Sequence, residues 1–301
     1  MKYSSFKFPK NKSRYRIKNI TRFTAVILVF LLTVTAVLVI LGKIKSNNNG
    51  DYGLNPTETA VVSTPIPTPE PTPTPYPVPE GKTMEPFFVM IDPGHGGLDG
   101  GTWLEKTGVM EKDIVFDISK RVKKILDDKG INSMLTREID QQLVVNDSEA
   151  DLVARWSLAN EQKASLFVSI HVNAYDLKYK GAAGVNGMEI YYFEDKHEVY
   201  TDFTQQRFAE IMRDSVSAAN GMTFRFMKGD IRLAVVRNTK MPAVLVETAY
   251  ITNPGDFERL ISDEFKENTA RGIVDGIEKA MAEIGVFENE GDMYVFKEIG
   301  E

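Results

Sequence analysis

The chain has 301 residues, 43% of them hydrophobic and 26% charged, which accommodates one large domain with appendages. Its net charge of −6 hides an asymmetry: residues 1–23 carry eight Lys and Arg and no acid, leaving 28 basic against 42 acidic residues, net −14, in the remainder. That balance argues against nucleic acid as a partner of the folded part, and the absence of cysteine argues against a small disulfide-stapled module.

Thr24 to Gly42 is an uncharged stretch of 19 residues rich in Val, Leu and Ile. As a helix it would run about 28 Å, close to the roughly 30 Å of a bilayer's hydrocarbon core. Its apolar run is longer than that of a cleaved signal peptide and ends without a small-x-small site. The expectation is a single uncleaved transmembrane helix, with the basic segment 1–23 in the cytoplasm and everything after Lys43 outside. Residues 43–84 follow as an extended linker. From Pro65 to Pro79 every second residue is proline, which removes alternate amide donors and leaves polyproline II. At about 3.1 Å per residue this spacer would reach on the order of 100 Å from the membrane.

From residue 85 the pattern becomes α/β. The apolar runs predict strands at Phe87 to Ile91, Asn132 to Leu135, Leu166 to His171, Met188 to Phe193, Ile231 to Val236 and Ala243 to Val246. Helical spacing predicts helices over Glu111 to Asp128, Glu149 to Ala164, Thr201 to Ala219 and Glu264 to Ile284. Strands as apolar as Leu166-Phe167-Val168-Ser169-Ile170 are covered on both faces. The fold class expected is α/β: residues 85–286 form a mixed, mainly parallel sheet of about six strands flanked by helices on both faces. Residues 287–301 read as an acidic, loosely attached tail.

Functional groups in open α/β sheets collect where strands end. His95 follows the first strand within Asp92-Pro93-Gly94-His95-Gly96-Gly97, and His171 ends the third. Either alone reads as readily as a core or loop residue; in matching contexts they form a pair that can meet across a crevice. A zinc site needs a third protein ligand and an open position. Glu111 is the candidate, returned to His95 by a 15-residue glycine-bearing loop, although a carboxylate opening a helix also fits a cap. Glu247 ends the apolar strand Ala243-Val244-Leu245-Val246, where it must either find an ion-pair partner or face the crevice. Two His and one Glu as ligands, with a second Glu as proton acceptor, are sufficient for hydrolysing an amide. His197, among Glu194, Asp195 and Glu198, reads as a solvated loop histidine.

Ordered motifs run from Phe87 to about Ile284. They comprise Ile91-Asp92-Pro93-Gly94-His95-Gly96-Gly97, Glu111-Lys112-Asp113, Leu135-Thr136-Arg137, Arg155 to Asn160, Phe167 to Ala174, Gly187 to Tyr192, and Met241 to Glu247 followed by Asn253 and Asp256. Together they make the chain resemble the type-3 family of zinc-dependent N-acetylmuramoyl-L-alanine amidases, bacterial cell-wall hydrolases. The resemblance implies zinc (Zn2+) on His95, Glu111 and His171, Glu247 as the catalytic acid/base, and peptidoglycan as substrate. It further implies that Arg155 and Asn160 brace the sheet and that Asn173 orients substrate or a ligand. The chain departs from the family pattern at Asp99-Gly100-Gly101-Thr102 and at Thr248-Ala249-Tyr250-Ile251-Thr252, and neither departure removes a ligand. A wall-binding scaffold without catalysis and a zinc peptidase acting on stem peptides are the alternatives.

Overall fold

The computed structural model describes residues 76–194, 199–200, 202–229 and 232–299. The basic segment, the expected transmembrane stretch 24–42, most of the linker and His197 lie outside these residues. Among the described residues no helix is long and apolar enough to cross a membrane.

The central sheet has six strands: β2 (Val89–Pro93), β5 (Ser133–Leu135), β6 (Leu166–Asn173), β7 (Met188–Tyr192), β8 (Phe224–Gly229) and β9 (Ala243–Tyr250), in the order β5-β2-β6-β9-β7-β8. The four strands from β5 to β9 run parallel, β7 pairs antiparallel with β9, and β8 runs parallel to β7. The mixed, mainly parallel sheet expected from sequence is therefore present.

Alternation along each strand sorts the core into two layers. Val89, Ile91, Val168, Ile170, Ile190, Val244 and Val246 pack with α1 (Glu111–Asp128), α3 (Gln205–Asn220) and α6 (Asp263–Ile284) in the larger core. Met90, Phe167, Ala243 and Leu245 face the other way, onto α2 (Ser148–Glu161) and the short α4 (Ala234–Arg237). Asp92, Ser169, His171, Glu189 and Glu247 continue this second series by strand parity, so the polar groups gather on the thinly covered face. A seven-residue helix, α5 (Pro254–Leu260), follows β9.

Local chemistry sets the helix limits. Asp147, Thr204, Asn253 and Ser262 each accept a backbone N–H of the first turn, capping α2, α3, α5 and α6. Thr204 is why α3 opens at Gln205 and not near Thr201.

Two expectations are corrected. Ala234 to Val236, expected as the end of a strand, are helical, and the strand at the sheet edge is Phe224–Gly229. Within the apolar run Leu233-Ala234-Val235-Val236, a one-turn helix buries Val235 and Val236 against the sheet. The tail is also not loose: β10 (Phe287–Asn289) and β11 (Asp292–Glu298) form a separate antiparallel sheet with β1 (Lys82–Pro86), which takes in the last linker residues. Val295 of β11 is fully buried, Phe87 N donates to Met293 O at 2.8 Å, and Lys297 Nζ donates to Lys163 O at 2.7 Å. A two-stranded ribbon, β3 (Trp103–Leu104) with β4 (Val109–Met110), lies in the loop before α1.

Candidate active site

Two buried arginines build the turn after β2. Arg155, on α2, donates to Asp92 Oδ1 at 2.9 Å, Asp151 Oδ2 at 2.8 Å, Pro93 O at 2.8 Å and His95 O at 2.6 Å. Arg137 donates to Pro93 O at 3.1 Å and to Gly94 O at 3.1 Å. Burial works against the Asp92 carboxylate, but Arg155 and the hydroxyls of Thr136 and Ser169 hold its pKa below the usual range. Three consecutive carbonyls are thus clasped, and His95 is held at φ 59°, a left-handed conformation that non-glycine residues seldom adopt. Arg155, expected as a brace for the sheet, is also a brace for this histidine. Asn160 is a brace in the plainer sense, donating to Asn238 O at 2.9 Å and accepting from Lys240 N at 2.7 Å.

Glu111 opens α1. Met110 at the N-cap offers no side-chain bond, and the Glu111 carboxylate accepts from Thr102 N at 3.0 Å and Val172 N at 3.1 Å, which ties it to the loop and to β6. Its Oε1 lies 3.1 Å from His95 Nε2 and 3.2 Å from His171 Nδ1. The two imidazoles meet edge to face with centroids 5.0 Å apart. One ligand atom from each of His95, Glu111 and His171 falls within 4.8 Å of the others, so this cluster could hold a metal ion. Burial opposes the Glu111 anion, yet its bonds to His171 and His95 lower its pKa well below the ordinary carboxylate value. Burial also opposes the His95 cation, but bonds to Asp99 and Glu111 prevail and push it up to about 10.

Asp99 was not singled out from sequence. Its Oδ2 lies 2.9 Å from His95 Nδ1, which leaves Nε2 directed at the cluster, and its Oδ1 accepts from Gly101 N at 3.0 Å. The available signal was its place four residues after His95 in the glycine-framed loop. Glycine is required twice here. A Cβ on Gly94 would lie 2.4 Å from His171 Cε1, and one on Gly101, at φ +64°, would lie 2.7 Å from both Glu111 Oε2 and His95 Cδ2.

Glu247 sits on β9 directly opposite His171 on β6. Its Oε2 is buried and has no hydrogen-bond partner. Burial first, then the charges of Glu111 and Glu189, raise its pKa well above the ordinary value, against the influence of His95. Glu247 was expected to end its strand, but β9 continues to Tyr250; a carboxyl that readily holds a proton beside a cluster able to hold a metal is equipped to take and return one. Asn173 lies two residues beyond His171 with Nδ2 on Glu189 Oε2 at 2.8 Å and Oδ1 accepting from Ala174 N at 2.8 Å. Both ends of its amide are engaged within the protein.

The sequence pattern of the family described as N-acetylmuramoyl-L-alanine amidase (Amidase_3) matches residues 89–279. N-acetylmuramoyl-L-alanine amidase LytC of Bacillus subtilis is 36% identical over 188 residues, 62% of this chain; the match spans about a third (34%) of that relative's length. Two solved structures are similar. The N-acetylmuramoyl-L-alanine amidase from Clostridium difficile 630 has a TM-score of 0.58 at 27% identity, over 66% of this chain and 99% of that one. The catalytic domain of the amidase CwlV from Bacillus (Paenibacillus) polymyxa var. colistinus has a TM-score of 0.56 at 31% identity, over 65% and 98%.

Proposed function

Because the chain belongs to the N-acetylmuramoyl-L-alanine amidase family, we propose that it hydrolyses the amide joining the lactyl group of N-acetylmuramic acid to L-alanine of the peptidoglycan stem peptide. The observation that carries this reading is the His95–Glu111–His171 cluster, with the unpartnered Glu247 carboxyl opposite His171 in the sheet.

The donor set fits zinc: two imidazoles, one of them oriented by a carboxylate, and a carboxylate that also accepts two backbone amides. Zinc held by His95, Glu111 and His171 would supply Lewis acidity toward the amide carbonyl oxygen and the attacking water. The rest falls to the chain's own residues. Asp99 fixes the His95 ring, and the backbone of Gly94 leaves room for His171. Glu247 takes the proton of the attacking water and then gives it to the departing alanine nitrogen. Its raised proton affinity suits the second half of that cycle, since a carboxyl of ordinary acidity would surrender the proton to solvent at neutral pH.

The chain is further read as anchored by residues 24–42 and facing the wall across the proline-rich linker, with no activating partner assigned. Mass spectrometry of fragments released from purified wall by the full chain tests the reaction. Stem peptides with a free L-alanine amine support the amidase. Cleavage inside the peptide would replace it with a peptidase, and an undigested wall with a scaffold.

A further inference from the structure

Glu189 is the second residue of β7, in the otherwise apolar and aromatic strand Met188-Glu189-Ile190-Tyr191-Tyr192, and is 1% exposed. A carboxylate in that position is costly unless fully hydrogen-bonded. Four donors from four strands converge on it. Oε2 accepts from Asn173 Nδ2 of β6 and the Tyr191 hydroxyl of β7, each at 2.8 Å. Oε1 accepts from Arg225 Nε of β8 at 2.8 Å and from the Tyr250 hydroxyl of β9. Four donors, one of them a guanidinium, fill the acceptor sites of a carboxylate. Arg225 is itself held, donating to Asn186 O at 3.3 Å and lying 5.3 Å over the Tyr250 ring.

The sheet register says what this arrangement serves. Glu189 is directly opposite Glu247 across the β7–β9 pair, and Glu247 is directly opposite His171 across the β9–β6 pair. Side chains opposite one another on neighbouring strands share a face about 5 Å apart. Glu247 therefore stands between a metal-ligand histidine and a carboxylate whose acceptor sites are all taken. With no acceptor site free on Glu189, it has no hydrogen bond to gain by turning that way. The neighbour on its other side is His171 of the ligand cluster, and its Oε2 is buried without a hydrogen-bond partner. The donors also tie together the strand ends that carry the chemistry, since Asn173 lies two residues beyond His171 and Tyr250 three beyond Glu247.

We propose that Glu189 is a positioning residue, which with Arg225, Tyr191, Tyr250 and Asn173 forms a hydrogen-bond-saturated cluster that holds the Glu247 carboxyl toward the metal cluster. The proposal rests on the reading of Glu247 as the proton-transfer group. A merely structural carboxylate would need only to neutralise Arg225, and this difference can be measured.

The test uses the full chain as wild type, Glu189→Gln, the double variant Glu189→Gln/Arg225→Gln, and Glu247→Gln. Each is scored for zinc content, thermal midpoint, and kcat and KM on a soluble muramyl peptide. Glu189→Gln should keep one zinc per chain and a KM near that of wild type, while kcat per zinc falls about 10- to 100-fold, the scale of an ångström-level misplacement. The double variant, relieved of an uncompensated guanidinium, should regain the thermal midpoint and not kcat. Wild-type kcat in Glu189→Gln, or kcat recovering with stability in the double variant, would overturn the proposal. A fully active Glu247→Gln would overturn the reading beneath it, whereas an inactive Glu247→Gln beside a fully active Glu189→Gln would overturn the positioning role alone.

Discussion

Replacing Gly94 by Ala adds one methyl group between the turn after β2 and the ring of His171. The new Cβ would stand 2.4 Å from Cε1, 2.5 Å from Nε2 and 2.7 Å from Nδ1 of that imidazole, where ordinary contact begins at 3.4 Å, so something must move by about 1 Å. The backbone is poorly able to do so. Gly94 N donates to Ile170 O at 3.1 Å, and Gly94 O accepts from Arg137, itself 1% exposed. The ring must therefore yield and leave the position where Nδ1 lies 3.2 Å from Glu111 Oε1. Displacing a ligand by that distance should weaken metal binding by roughly 10- to 100-fold, about 1.4–2.7 kcal/mol. Chelator competition would measure zinc affinity, and far-ultraviolet circular dichroism would show that the fold persists. Unchanged zinc affinity in a folded Gly94→Ala protein would refute the reasoning, because the methyl could then be accommodated without moving the ligand.

Arg155→Met should leave Asp92 and Asp151 buried without their cation and destabilise the domain by about 3–5 kcal/mol in denaturant unfolding, and a loss under 1 kcal/mol would contradict the clasp. Zinc binding to metal-stripped protein at neutral pH should release protons, measurable by calorimetry in buffers of different ionisation enthalpy. The His95 proton, held up to about 10, stabilises the metal-free site fully below the ordinary value of 6.5 and is lost as pH rises through 10, so zinc affinity should climb from pH 6 to 9, and a flat profile would contradict it. Deleting residues 287–301 should remove β10 and β11 and expose the site of Val295, at about 1.5–3 kcal/mol for that side chain alone and a drop in melting temperature on the order of 5 °C. An unchanged melting temperature would show that these strands do not stabilise the domain.

The gathering of His95, Glu111 and His171 and the sheet were legible because both depend on local pattern. His95 and His171 stand at the ends of runs whose apolar character is continuous, and the helix Glu111–Asp128 keeps its predicted limits. What escaped was non-local. The edge strand Phe224-Arg225-Phe226-Met227-Lys228-Gly229 is buried on no residue, so it lacks the run that marks an interior strand, while Ala234 to Val236 have that run and are helical. The last strand, β11, pairs with Lys82–Pro86 across about 200 residues, and no local signal in an acidic segment announces such a partner. Asp99 and Glu189 were overlooked for a related reason: what they do depends on groups that only the folded sheet assembles. A charged residue inside an apolar strand, as at Glu189, was the signal available. Asn173, read as orienting substrate or a ligand, bonds through its amide to Glu189 and Ala174, contacts that likewise appear only in the folded sheet.

The proposed division of labour between a metal held by His95, Glu111 and His171 and a proton carried by Glu247 is tested most directly by Glu247→Gln in the full chain. Zinc content and release of L-alanine amines from purified wall are measured on the same preparation. The expected result is zinc equal to wild type with hydrolysis reduced at least 100-fold, on the order of what a general acid–base group contributes. Hydrolysis at the wild-type rate would contradict the assignment of Glu247, and loss of zinc in this variant would show that Glu247 belongs to the ligand set instead.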